Sequence, residues 1–200
     1  MNFLAHFLVA ENDEELRLGS LLGDVVKGRV ERYDHPGTTE GIRAGIRLHR
    51  AVDSFSDTHD AVRRSRQRLV PAYGHLAGVL VDVFYDHVLA RTWAEHHDAP
   101  LPAFARDVYR TLRENLPRLP REAHSLVGAM TRGDWLTRYA SLAGIDGTLR
   151  EMAHRTAVAR GIAGAAADLD RDYDAYASEF AAFMPDLRTH AAEVVRGLPT

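Results

Sequence analysis

The run LAGVLVDVFYDHVL, residues 76–89, decides the fold. Leu76, Val79, Leu80, Val83, Phe84, Val88 and Leu89 recur at helical spacing, so the run reads as a long, largely buried helix continuing to about His97. Asp82, Asp86 and His87 sit inside it, and an acid within an apolar helix needs something to compensate its charge. Asp82 and Asp86 are four residues apart and therefore share one face. The stretch IRLHRAVDSFSD, residues 46–57, repeats the arrangement with His49, Asp53 and Asp57. Each helix thus offers a row of metal-type ligands. Asp24, in SLLGDVVKG, and His6, between Leu4 and Phe7, lie in further apolar runs.

Working outward, apolar spacing near 3.6 persists along almost the whole chain, and no stretch shows sustained strand-like alternation. The expectation is an all-α, single-domain helical bundle spanning residues 1–200. A short helix is expected from Asn2 to Ala10 and a second from about Asp13 to Gly28. Pro36 and Gly37 break the chain, and Thr38 or Thr39 caps a helix running to about Thr58. An arginine-rich helix leads to Pro71, and Ala103–Asn115 forms another after Pro100 and Pro102. Pro117 and Pro120 precede smaller helices up to Ala143, with Gly144 and Gly147 as turn residues. A helix from Thr148 to about Arg160 follows, then one or two from Asp168 to Val195, interrupted at Pro185.

Composition narrows the function classes. The formal net charge of −3 lacks the basic surplus of a general nucleic-acid binder. There is no cysteine, so metal ligation falls to His, Asp and Glu, and disulfides and thiol nucleophiles are excluded. No window approaches the roughly 20 apolar residues of a membrane span, and residues 1–15 do not resemble a secretory leader, so a cytoplasmic location is expected.

A metal-dependent hydrolase needs hard ligands converging from several helices, with positions left open for water and a substrate oxygen. Asp24, His49, Asp53 and Asp86 are the candidate ligands, and an oxygen-rich set of this kind suits manganese or magnesium. Asp57 and Asp82, one turn away, are supporting acids or ordinary surface charges. Arg50 either pairs with a supporting acid or reaches a substrate phosphate. His87 orients a ligand, carries a proton, or hydrogen-bonds in the core, while His6 is a catalytic candidate or a core histidine. Arg63, Arg64, Arg66 and Arg68 form the densest basic run, either a solvated helix face or a docking site for an acidic partner. His96 and His97 read as caps of the long helix, and Tyr173, Tyr176, Phe180 and Phe183 as core packing.

With MNFLAH at the start, LLGD ending at Asp24, IRLHRAVDSFSD, and DVFYDH followed by Trp93, the sequence resembles the acyl carrier protein phosphodiesterase family. GDWLTRY near Trp135 and DLDRDYDAY near Tyr173 extend the resemblance more weakly, and residues 98–125 match little. The resemblance implies a helical fold related to the HD phosphohydrolases. It also implies a divalent cation, manganese ahead of magnesium or iron(II), and removal of 4'-phosphopantetheine from the serine of holo acyl carrier protein. The family's acid and histidine positions fall on His6, Asp24, His49, Asp53, Asp57, Asp82, Asp86 and His87. In the HD signature a histidine is followed directly by an aspartate; here Arg50 follows His49, and the adjacent pair is Asp86–His87. The acidic partner so implied would meet Arg63, Arg64, Arg66 and Arg68, or Arg43 and Arg47. Two other readings stay open: a phosphohydrolase of nucleotides or other small phosphate esters, and a helical module that binds carrier protein without cleaving it.

Overall fold

A computed structural model describes residues 1–155 and 158–198, and every regular element among them is helical. The helices are α1 (Phe3–Val9), α2 (Glu14–Leu22), α3 (Glu40–Thr58), α4 (Asp60–Tyr73), α5 (Ala77–Arg91) and α6 (Leu101–Glu114). They continue with α7 (Arg121–Arg132), α8 (Trp135–Arg138), α9 (Leu142–Arg155), α10 (Ala166–Arg171) and α11 (Tyr173–Gly197), with short 3-10 turns between several of them.

The run LAGVLVDVFYDHVL becomes α5, the spine of the bundle. Leu80, Val81, Val83, Phe84, Tyr85, Asp86, Val88 and Leu89 are spread around its circumference and are each at most 1% exposed, because α1, α4, α9 and α11 pack around it. Val79 is the exception; it is exposed at the first turn. The helix ends at Arg91, short of His97, and a 3-10 turn, Trp93–Glu95, takes the chain onward. There the two histidines stabilise the connection: His97 Nδ1 accepts the Ala99 N–H at 3.0 Å, and His96 Nε2 lies 3.2 Å from the Thr92 hydroxyl.

Helix starts follow the capping residues. Asp13 accepts the Leu16 N–H at 2.8 Å, and of the two threonines it is Thr39 that caps α3, accepting from Ile42 at 3.2 Å. The closest packing is between α2 and α3, where Gly19 and Gly45 face each other. A Cβ on Gly19 would lie 2.2 Å from the Ile42 carbonyl oxygen, so the backbones meet at a distance only glycine permits.

Four expectations are corrected. α2 stops at Leu22, not Gly28, which puts Asp24 in an exposed turn instead of an apolar helix. Gly144 and Gly147 lie inside α9; the Ser141 hydroxyl accepts the Gly144 N–H at 3.1 Å and starts that helix six residues ahead of the expected Thr148. Its expected end near Arg160 falls partly outside the described residues. α11 runs through Pro185 without interruption, because Phe183, Met184 and Leu187 are buried on both sides of the proline, and that burial exceeds the roughly 3 kcal/mol a helical proline costs. α4 likewise passes through Pro71 to Tyr73.

The buried apolar side chains form a continuous core shared by α1 through α11, as a single-domain chain requires. Among the described residues no helix is long and apolar enough to cross a membrane.

Candidate metal centre

His49 projects from the middle of α3 toward α2. Its Nδ1 donates to the Ser20 carbonyl oxygen at 2.8 Å, which leaves Nε2 facing Asp53 Oδ2 at 3.1 Å and Asp24 Oδ1 at 3.6 Å. The ring fits against Gly23, where any Cβ would fall 2.1 Å from the imidazole. The glycine of LLGD is therefore required by the histidine.

His6 arrives from α1. Its ring stacks on His49 with centroids 3.8 Å apart, and its Nε2 lies 3.2 Å from Asp53 Oδ1 and 3.1 Å from the Met1 carbonyl oxygen. Asp53 thus divides its two oxygens between two stacked imidazoles. Ligand-type atoms of His6, His49 and Asp53 lie within 4.8 Å of one another, and His6 Nδ1 is buried with no hydrogen-bond partner among the described residues. Three converging donors beside an orphaned imidazole nitrogen fit a divalent cation better than a packed core.

The electrostatics agree. Burial, with His49 close by, pushes His6 down to about 4, so its ring is neutral, the form that ligates. Burial also opposes charge on His49, but the carboxylates of Asp24 and Asp53 outweigh it and raise the ring to about 9, so a cation at Nε2 would take the place of the proton held there between the two carboxylates. Against its own burial, Asp53 is held far below the usual carboxylate range by His49, His6 and the Met1 ammonium. The site concentrates negative charge that a cation would neutralise.

Beside this cluster opens a pocket of about 340 Å³ walled by Asp24, Asp53, Asp57, Asp82, Val79, Val83 and Met152, with residues 1–3 at its edge. The Met1 ammonium stands between Asp53 at 3.3 Å and Asp82 at 3.1 Å. Burial pushes the Asp82 carboxyl upward.

The remaining site candidates divide cleanly. Asp86 is fully buried, and its carboxylate accepts the backbone N–H of Leu4 at 2.8 Å and of Ala5 at 3.2 Å, outside the three-residue cluster. His87 Nδ1 lies 2.6 Å from the Tyr139 carbonyl oxygen and donates to it, since a carbonyl only accepts; the ring stands edge-on to Tyr173. Burial lowers its pKa, and it takes no part in the pocket wall. Arg50 spends its guanidinium on the carbonyls of Gly28 and Val26, both at 2.7 Å, and so fastens the turn that carries Asp24.

The arginine run also splits. Arg68 grips Glu179 through both nitrogens at 3.0 Å, Arg64 lies 3.8 Å from the same carboxylate, and Arg63 pairs with Asp60 at 2.8 Å. Arg66 is exposed and lies against Gly78, next to Val79 of the pocket wall. Arg43 bonds to the Tyr33 carbonyl, and Arg47 pairs with Glu40 and Glu31. One contributor to the site carries no side-chain signal in the sequence: the Ser20 carbonyl that fixes His49 is backbone.

The family described as acyl carrier protein phosphodiesterase matches residues 1–187. A relative named acyl carrier protein phosphodiesterase from Serratia proteamaculans is 33% identical over 194 residues, covering 96% of this chain and 98% of its own length. Relatives of the same name from Yersinia enterocolitica (33% identical) and Escherichia coli O6:H1 (32% identical) cover 96% of this chain and 98% of theirs. No solved structure matches.

Proposed function

The chain belongs to the acyl carrier protein phosphodiesterase family, and from that premise we propose that it hydrolyses the phosphodiester joining 4'-phosphopantetheine to a serine of holo acyl carrier protein. The observation that carries the reading is the convergence of His6, His49 and Asp53 beside an open acidic pocket. A module that binds carrier protein without cleaving it would need no such convergence of ligand-type side chains beside a pocket.

His49, His6 and Asp53 would hold the cation, with Asp24 the next carboxylate to His49 Nε2. Two imidazoles and one carboxylate replace the oxygen-rich set expected from the sequence; manganese remains our assignment, with iron(II) ahead of magnesium. When bound, such an ion polarises a phosphoryl oxygen and lowers the pKa of a coordinated water. The chain's own residues do the rest. The Ser20 carbonyl fixes the tautomer of His49, and Arg50 fixes the turn bearing Asp24. Asp57 and Asp82 line the pocket beyond the cluster, where Asp82 holds the Met1 ammonium at 3.1 Å. His87 is committed to Tyr139, so the proton-transfer role does not fall to it.

A carrier protein is acidic, and Arg63, Arg64 and Arg66 are the exposed members of the arginine run on α4, with Arg66 lying nearest the pocket's Val79 edge. Such a substrate places the reaction in the cytoplasm. The test is to incubate the protein with holo acyl carrier protein and manganese and follow loss of the phosphopantetheine group by mass. Conversion by the wild type and none by Asp53→Ala or His49→Ala is expected. A folded sample that leaves the mass unchanged with every divalent metal, yet cleaves nucleotides, would move the reading to a small-phosphoester hydrolase.

A further inference from the structure

Asp86 is the one fully buried carboxylate on α5, and it is spent on backbone. Asn2, which stands at the N-cap of α1, makes no side-chain cap; its amide donates instead to the Tyr139 hydroxyl at 3.1 Å. The first-turn N–H groups of α1 would be left without acceptors, an expensive state in a buried helix. Asp86 supplies both, to Leu4 at 2.8 Å and to Ala5 at 3.2 Å, across more than eighty residues of sequence. Seven residues are too few for α1 to hold its own geometry, so its placement depends on such anchors. His6 is the next residue after Ala5, and its ring must lie 3.8 Å from His49 and 3.2 Å from Asp53.

We propose that Asp86 is a positioning residue, not a ligand: by accepting the Leu4 and Ala5 N–H groups it holds α1, and through it the His6 imidazole, in register with His49 and Asp53. This rests on the reading of those three residues as the cation centre. Asp82, one turn earlier on the same face of α5, reaches the pocket, whereas Asp86 reaches the backbone of α1. One row of acids therefore serves two purposes along its length.

The experiment compares Asp86→Asn, which keeps one acceptor oxygen, with Asp86→Ala, which keeps none, using manganese titration by calorimetry and nitrogen-15 NMR of the imidazole rings in the metal-free protein. Asp86→Asn should bind one equivalent within about threefold of wild type, and Asp86→Ala should bind it about tenfold more weakly. The His6 ring signals should move in Asp86→Ala while those of the Ser20-fixed His49 stay. In a His6→Ala background, the same Asp86→Ala change should cost no further affinity. If Asp86→Asn abolishes binding as fully as Asp53→Ala, or if the loss is undiminished in the His6→Ala background, the proposal fails. Should the wild type bind no manganese, the cation reading fails, and the His6 ring signals alone decide this one: an unmoved ring overturns it. If Asp86→Ala does not fold, Asp86→Asn and its ring spectrum carry the test.

Discussion

Two polar clusters lie within the same bundle, and they differ in how completely their charges are answered. Where α4, α5 and α11 meet, Glu179 is 9% exposed, accepts both nitrogens of Arg68 at 3.0 Å and is hydrogen-bonded by Ser65, which also meets the Tyr85 hydroxyl at 3.0 Å. Arg68 covers the Tyr176 ring as well, 4.9 Å from its centre. Where α1, α2 and α3 meet, three ligand-type side chains crowd together, one ring nitrogen has no partner, and four aspartates face an open pocket. In the first cluster the Glu179 charge is answered by Arg68 and Ser65, which serves stability, and only the neutral Tyr176 hydroxyl beside it lacks a partner among the described residues. The second is left incomplete, which is the condition for binding something from outside.

Breaking each cluster should therefore have opposite consequences. The largest effect belongs to the open one: Asp53→Ala should abolish manganese binding and lower turnover of holo acyl carrier protein by about a thousandfold or more, read by calorimetry and by the mass assay. Its unfolding midpoint should fall by less than that of a buried-pair mutant, because Asp53 is 41% exposed and its ion pairs are screened. Loss of activity with full retention of metal would show that the cluster is not the centre.

Glu179→Ala should reverse the pattern. Removing the carboxylate strands Arg68 and leaves Ser65 only its bond to Tyr85, at a cost of about 2 kcal/mol in urea unfolding, while kcat per folded molecule is unchanged. The same residue supplies a pH signature. Despite its burial, Arg68 and Ser65 hold the Glu179 carboxyl below its ordinary value, so below that ordinary value the unfolded chain binds more protons than the folded one. The stabilisation is present in full above the ordinary glutamate range and is lost as pH falls through the lowered folded value. A Glu179→Gln protein should show a flatter acid limb; an unchanged limb would mean the pair contributes nothing.

The smallest effect is expected at the surface, where α4 carries both kinds of arginine. Arg66→Gln, alone or with Arg63→Gln, should raise KM for carrier protein about threefold at low salt, with kcat and stability unchanged, and the difference should vanish at high salt. Arg68→Gln should instead lower stability. A KM that ignores Arg66 would remove this face from the encounter.

Much of the fold and part of the centre are legible in the sequence. The apolar spacing of residues 76–89 is all-round rather than one-sided, and only a helix enclosed by others can satisfy it; α5 is that helix. His49 and Asp53 stand at helical spacing and do meet, because i and i+4 side chains share a face by geometry alone. The departures lie where local rules meet packing. Pro185 and Gly144 signal breaks, yet buried neighbours keep α11 whole and a serine cap starts α9 ahead of its glycines. The apolar run around Asp24 predicts a helix there, but α2 ends two residues earlier, and the aspartate reaches His49 from an exposed turn.

By itself, the sequence determined the helical class, the absence of thiol chemistry, and the acids and histidines that α3 and α5 display, since periodicity and side-chain chemistry are local properties. Which of them converge was decided only by the tertiary structure. As letters in apolar runs, Asp86 reads as a ligand and His6 as a catalytic candidate or a core histidine, yet α1 docks so that Asp86 binds backbone and His6 stacks on His49. Helical spacing fixes the direction of a side chain relative to its own helix; what it meets there depends on how neighbouring helices are placed, and here that depends on glycine contacts, a cap supplied from a distant helix and a buried carbonyl.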